Sequence, residues 1–332
     1  MGACQFSKGL HDLGNGAWAY LQPDGGWGWS NSGFISSDGE NVLVDTLFDL
    51  PLTAQMLATL RASIPGADRI GTIINTHNNG DHTYGNQLVP GARILTSRSV
   101  GAGMEHDNPD RLLAVLADPD AMGEAGRFMA EIFGKFDFRG IKLPPATDLF
   151  DGSMDLMVGD KAVRLVDVGP AHTDSDVLVH IPADGVVYTG DILFNGGHAV
   201  IWAGPITNWI RACDLILSWD VETIVPGHGP IADKGDVRNF RDYLQYLHDE
   251  ARVRFDAGMT FQEAAFDIRF GPFEHFGDAE RTVINVHALW GEFSGTRPEV
   301  APGEIWTMMA RYARERAERS ACGGCADPRH RH

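Results

Sequence analysis

The stretch Thr76-His77-Asn78-Asn79-Gly80-Asp81-His82-Thr83-Tyr84-Gly85-Asn86 constrains this chain more than any other. Two histidines and a carboxylate fall within six residues. They follow an apolar, β-branched run at residues 70–74 that predicts a buried strand. A loop at the end of a strand can aim several side chains at one point without breaking a sheet. Neutral imidazoles and carboxylates bind Zn²⁺ at ~2.0–2.2 Å. Gly80 and Gly85 let the backbone turn sharply beside an ion. The alternative is a polar turn with two incidental histidines, and the rest of the chain bears on the choice.

Three further loops repeat the pattern. Residues 162–168 and 177–181 predict strands, and between them lies Gly169-Pro170-Ala171-His172-Thr173-Asp174-Ser175-Asp176. Val186-Val187-Tyr188-Thr189-Gly190-Asp191 is a strand ending in a carboxylate. The strand at 222–225 runs into Pro226-Gly227-His228-Gly229-Pro230. The candidate ligands are therefore His77, Asp81, His82, His172, Asp191 and His228, each after an apolar strand and near glycine or proline. Chance can place one histidine so; four loops in series make a metal centre the stronger reading.

Short strands are also expected at 17–21, 33–36, 41–45 and 92–96, with a helix over 50–64 that stops at Pro65-Gly66. Residues 97–136 turn helical, with Met122, Phe128, Met129, Ile132 and Phe133 at three- and four-residue spacing. This reads as a helical insertion that packs as core or lid. His106 is expected to be exposed. Helices follow at 207–219, 235–257, 261–268, 279–294 and 302–319. The charged run 314–319 reads as a solvated face or an oligomer contact, so a homo- or hetero-oligomer through the C-terminal helices is one expectation. The strand-rich stretches 17–96 and 147–226 look like two halves of one layered core.

Composition narrows the partners. A formal charge of −18 is the wrong sign for nucleic acid or an anionic membrane surface. No apolar run reaches the ~18 residues of a membrane span, and the N-terminus has no signal-peptide core. The expectation is a cytoplasmic protein acting on a small molecule. Of the four cysteines, Cys213 reads as a small core residue, and Cys4 has no visible partner. Cys322 and Cys325, followed by His330 and His332, could bind a metal or pair locally, but read as a disordered tail.

At this point the sequence resembles the metallo-β-lactamase superfamily. That family's motifs are His-x-His-x-Asp-His, Gly-x-x-His-Thr, Gly-Asp and Gly-His-Gly, matched here by residues 77–82, 169–173, 190–191 and 227–229. The resemblance covers roughly residues 15–235. It implies an α/β fold, an αββα four-layer sandwich with a helical insertion and a helical C-terminal extension. It also implies a single metallo-hydrolase domain over residues 1–320, with its core at about 15–235, its extension at about 235–320, and a tail at 321–332. One metal would sit on His77, position 79 and His172. A second would sit on Asp81, His82 and His228, with Asp191 between them. The family's second histidine is Asn79 here, and a neutral amide oxygen is a poorer Zn²⁺ ligand than imidazole. The expectation is an asymmetric centre holding one tight Zn²⁺ and, at most, a second weak one. His77 and His172 are then free to act as acid or base beside Asp81, which serves as ligand and water-orienter.

Bound Zn²⁺ brings the pKa of water to about 7, so the expected reaction is hydrolysis by metal-bound hydroxide at an electrophilic carbon. Trp27, Trp29, Phe194, Asn195, His198 and Trp202 are candidate substrate contacts, and their aromatic character suits a flat substrate. No basic cluster suits a phosphate or glutathione substrate. The longer motifs resemble an actinobacterial subgroup that includes aromatic-polyketide cyclase/thioesterases and lies near hydrolases that cleave aromatic ethers or halides. An ester, thioester or lactone is the leading substrate, and hydrolytic displacement on an electron-poor ring, as in nitroaromatic ether demethylation or dehalogenation, is the alternative. A third reading is a non-catalytic or regulatory subunit, marked by the lost histidine at position 79.

Overall fold

The computed structural model describes residues 6–322. Cys4, Cys325, His330 and His332 lie outside the described residues, as does the side chain of Cys322. In chain order, the strands β1 (Gly9–Gly14), β2 (Ala17–Leu21), β3 (Ser32–Ser37) and β4 (Glu40–Val44) form a meander. Helix α1 (Leu50–Ser63) follows, then β5 (Thr72–Ile74), the single-turn α2 (Gly80–Thr83) and β6 (Arg93–Ser97). Helices α3 (Arg98–His106), α4 (Asp110–Ala117) and α5 (Gly123–Phe133) form the expected insertion, which returns to β7 (Asp148–Phe150). Strands β8 (Ser153–Val158), β9 (Lys161–Asp167), β10 (Val177–Ile181) and β11 (Val186–Tyr188) lead to α6 (Ile206–Ser218) and β12 (Thr223–Val225). The extension is α7 (Lys234–Asp256), α8 (Phe261–Asp267), α9 (Thr282–Ser294) and α10 (Glu304–Cys322).

The strands make two sheets, one of seven in the order β1 to β7 and one of five in the order β12-β11-β10-β9-β8. Period-2 alternation explains how they stack. In β4, Val42 and Val44 face the second sheet, packing with Leu165, Val177, Val179 and Val186. Leu43 faces the other way, among Met56, Leu57 and Leu60 of α1. On the second sheet, Leu178, Val187 and Ile224 face outward onto α6 and α7 residues such as Trp209, Ile216, Phe240 and Leu244. The result is helix, sheet, sheet, helix, the αββα sandwich that the sequence predicts.

Helix boundaries follow local chemistry. Asp49 caps α1 by accepting from Leu52 N at 2.7 Å, with Pro51 in the first turn. Asp233 and Asp236 form a reciprocal capping box at the start of α7, and Thr260 and Glu263 form another at α8. Strand direction is what positions the site. β4, β5 and β6 run parallel to one another, as do β11 and β12, and β9 runs the same way as β11 because both are antiparallel to β10. The loops after β4, β5, β9, β11 and β12 therefore emerge together at one edge of the sandwich.

The sheets approach closely at Gly33, where an added Cβ would overlap the Tyr188 ring, whose hydroxyl donates to Trp18 O at 3.1 Å. Gly33→Ala is expected to cost about 1–3 kcal/mol of stability by overpacking, read as a lower urea midpoint with an unchanged slope.

Candidate metal centre

Four loops build the centre. The loop after β5 supplies His77, and α2 supplies Asp81 and His82. His172 comes from the turn between β9 and β10, Asp191 from the turn after β11, and His228 from the turn after β12. His82 Nε2 lies 3.1 Å from Asp191 Oδ1, and His172 Nε2 lies 3.3 Å from Asp191 Oδ2. His228 Nε2 is 3.3 Å from Asp81 Oδ2 and 3.5 Å from Asp191 Oδ2, and His77 Nε2 is 3.8 Å from Asp191 Oδ2. All the imidazoles are buried, as is Asp191, while Asp81 keeps 13 % of its side chain exposed toward the cavity. Close approach of backbone is needed here: a Cβ on Gly227 would overlap Asp191 Oδ1 and the Gly190 backbone.

Outer hydrogen bonds set which nitrogen of each ring faces the centre. The Asp45 carboxylate accepts from Thr76 N at 2.8 Å, from Thr76 Oγ1 at 2.7 Å and from His82 Nδ1 at 2.9 Å. Thr76 Oγ1, its own proton spent on Asp45, accepts from His77 Nδ1 at 3.0 Å. His172 Nδ1 donates to Val200 O at 2.7 Å. His77, His82 and His172 therefore each carry their neutral-state proton on Nδ1 and turn a lone pair at Nε2 inward. The Nε2 atoms of His77 and His82 and Asp191 Oδ1 are buried without a hydrogen-bond partner. Buried acceptors without donors are costly, and a divalent cation satisfies them together. Among the described residues, His77, His82 and Asp191 form one group whose ligand atoms lie within 4.8 Å of one another, and Asp81, His82 and His228 form another. The donor set fits a metal.

The buried carboxylates also set the charge of the rings. Burial disfavours charge on His82 and His228, but Asp191 with Asp45 or Asp81 outweighs it, lifting His82 well above its usual range and His228 to about 9. The same histidines override burial at Asp191 and hold it well below the usual carboxylate range. Burial, with the charge of His82, pushes His77 well down, and burial takes His172 to about 4.

Asn79 shows what the missing histidine changes. Its Nδ2 lies 2.9 Å from His172 Nε2 and donates to the lone pair that an imidazole metal ligand would use. His172 Nε2 is thus engaged by the Asn79 amide, while His77 converges with His82 and Asp191.

The centre opens onto a cavity of about 480 Å³. Trp27, Phe194 and Trp202 line it. Trp27 is its hub, with ring centroids 5.6 Å from Trp306, 6.1 Å from Phe133 and 6.3 Å from Trp202. The structure does not bring Trp29, Asn195 or His198 to this wall. After the left-handed turn at Gly28, Trp29 packs on Phe136 at 4.8 Å, under Lys135. Asn195 braces the His228 loop, its backbone N donating to His228 O at 2.9 Å and its side chain to Pro230 O at 3.0 Å. His198 is sealed against Tyr243 and Phe270, and burial together with Arg316 and Arg281 holds it down at about 3. His106 is exposed, at the cavity rim. The insertion contributes Leu112, Met129 and Phe133 to the lining, and α10 contributes Trp306.

Sequence reasoning missed Asp45, Trp306 and Arg281. Asp45 carried a signal, since it closes the apolar run Val42-Leu43-Val44 just as Asp191 closes its own strand. Trp306 and Arg281 carried none, because only tertiary packing brings them to the wall.

The family model for the metallo-beta-lactamase superfamily matches residues 25–228, and the chain belongs to that superfamily. Its members are mostly hydrolases and typically bind divalent metals. No curated protein matches the chain. Among solved structures, the stereoselective inverting sec-alkylsulfatase Pisa1 from Pseudomonas sp. is similar at 16% identity and a TM-score of 0.64, over 89% of this chain and 52% of that one. A double mutant of the same sulfatase gives 16% identity and a TM-score of 0.65, over 87% of this chain and 50% of that one. A metallo-beta-lactamase from Pontibacter korlensis gives 16% identity and a TM-score of 0.54, over 72% of this chain and 99% of that one. The chain spans about half the length of the sulfatase, and these likenesses are of fold. No helix among the described residues is long and apolar enough to cross a membrane.

Asp45→Asn keeps the shape but replaces one acceptor oxygen by a donor. It is expected to lower divalent-metal affinity by about 10–100-fold, measured by chelator competition on protein shown to be folded.

Proposed function

We propose that this chain is a zinc-dependent hydrolase of a small, flat aromatic substrate, cleaving an ester, thioester or lactone. The observation that carries the reading is the meeting of an aromatic wall, Trp27, Trp202, Trp306 and Phe133, with Asp81, His172, Asp191 and His228 in one cavity. Its volume of about 480 Å³ falls within the range of small-molecule sites. Asp81, His82, His228 and Asp191 would hold the tight metal, which lowers the pKa of water toward neutrality and polarises a carbonyl.

The chain's own groups supply the rest. Asp81, the least buried of the carboxylates at the centre, faces the cavity and orients the attacking water. Burial keeps His172 neutral at ordinary pH, and its only free lone pair accepts from Asn79. The Asn79 amide retains a second N–H, placed on the cavity wall to meet a substrate oxygen that gains charge. The rings of the wall stack or tilt against a flat substrate and exclude water from its reacting edge.

Two measurements test this. Protein purified without added metal is expected to carry about one tight zinc per chain, and Asn79→His to raise it toward about two, both read by elemental analysis. Failure of Asn79→His to gain metal would mean that the amide is not what keeps the first site empty.

The metal-loaded protein is expected to hydrolyse aryl esters or thioesters, with Trp27→Ala and Trp202→Ala each raising KM for them about tenfold and leaving small aliphatic esters nearly unchanged. Turnover of nitroaryl ethers or aryl halides instead of esters would assign displacement on the ring. No turnover of any class by a metal-loaded, folded protein would favour a non-catalytic subunit.

A further inference from the structure

Arg281 is the least expected residue at the cavity. It lies in the 3₁₀ turn Ala279–Arg281, beyond the end of the family match, and only 1% of its side chain is exposed. Two neighbours hold its ends: Nη1 donates to His198 O at 2.9 Å, and Nη2 pairs with Asp278 at 2.9 Å. Its guanidinium also lies over two rings. The guanidinium carbon sits 4.5 Å from the centre of the Trp27 ring and 5.3 Å from that of Phe194. Phe194 in turn stacks on His228, with centroids 5.1 Å apart and an interplanar angle of 7°. The same turn grips the edge of Trp27, whose Nε1 donates to Glu280 Oε1 at 2.8 Å.

These contacts form one column: Trp27, Arg281, Phe194, His228. Its first member is the hub of the aromatic wall and its last offers a nitrogen to the metal centre. A fully buried guanidinium is costly unless it is paired and stacked, so the turn spends its one buried cation at the point where wall and centre meet. No hydrogen bond to the outer nitrogen fixes the His228 ring, because its Nδ1 has no partner. Where His77, His82 and His172 are oriented by a bond to the outer nitrogen, His228 is oriented by the face of Phe194.

We propose that Arg281 is a positioning residue that joins substrate recognition to metal retention, holding Trp27 against the substrate and, through Phe194, the His228 ring toward the metal. The proposal rests on the reading of this centre as a metal site that opens onto a substrate cavity. It makes the C-terminal extension part of the working site.

The test uses the full-length, zinc-loaded protein and two readouts. Zinc retention is measured by competition with a chromogenic chelator, with no substrate present. KM is then compared for a phenyl and an ethyl ester of the same acid. Arg281→Met, which keeps the length of the stem without the cation or the plane, is expected to weaken zinc retention about tenfold. It should also raise KM for the phenyl ester with little change for the ethyl ester. Arg281→Lys keeps the charge but cannot stack on two rings, and is expected to show both effects at smaller size. Unchanged chelator competition in a folded Arg281→Met protein would overturn the proposal. So would equal losses on both esters at full zinc retention. Where Arg281→Met does not fold, Arg281→Lys decides alone, and parental zinc retention in the folded Lys variant would overturn the proposal. Chelator competition needs no turnover, so absence of esterase activity would count against the proposed reaction and leave the test of Arg281 standing.

Discussion

The carboxylate of Asp45 is the interaction on which the metal centre depends. It sits at the end of β4 in the left-handed region, with φ of 60°, a conformation uncommon for any residue with a side chain. The backbone around it is pinned: its N donates to Ile74 O at 2.9 Å, and its O accepts from Ser32 Oγ at 2.9 Å. From that position it takes three donors from the neighbouring loop and α2. Two imidazole tautomers follow, His82 directly and His77 through Thr76. The lone pairs left over point at one another in a buried space. The fold thus gathers buried imidazoles and carboxylates whose facing atoms a shared proton or a cation can join.

The second dependence is between that centre and its wall. The segment carrying Trp27 is fastened to the loop carrying His228, since Asn31 Nδ2 donates to Pro226 O at 3.0 Å and Gly229 O at 2.9 Å, and Asn31 N donates to Gly227 O at 2.7 Å. Ser30 donates to the backbone oxygen of Asp81. The extension then closes the arrangement from outside, with Glu280 and Arg281 on Trp27 and with Trp306 from α10 completing the ring of aromatics. Met309 and Tyr312 of α10 are buried against the rest of the chain. The inner face of that helix therefore serves its own cavity.

What was legible in the sequence follows from how local each signal is. The strands that face core on one or both sides, β4, β5, β10 and β11, are marked by short runs rich in Val and Ile. β1 was not marked, because it is a half-exposed edge strand with glycine at both ends. The candidate ligands were legible because strand, turn and ligand are contiguous, and because the glycines that permit close approach sit beside them. The wall was only half legible. Trp27 and Glu280 are separated by 253 positions, and nothing in either neighbourhood announces the other. Trp29 misled because one left-handed glycine between two tryptophans sends them to different sides. His198 misled because proximity in sequence to Asp191 is not proximity in space once Tyr243 and Phe270 close over it.

The column from Trp27 to His228 gives the molecule an unusual kind of heredity. All six candidate ligands lie within residues 25–228, the portion that the superfamily shares. The cation in the middle of the column lies outside it. If the column works as proposed, replacing the C-terminal helices would change both which molecules the cavity admits and how firmly the centre would grip an ion. Selectivity and metal economy are then traits that evolve under one constraint, although they are written on different stretches of the chain.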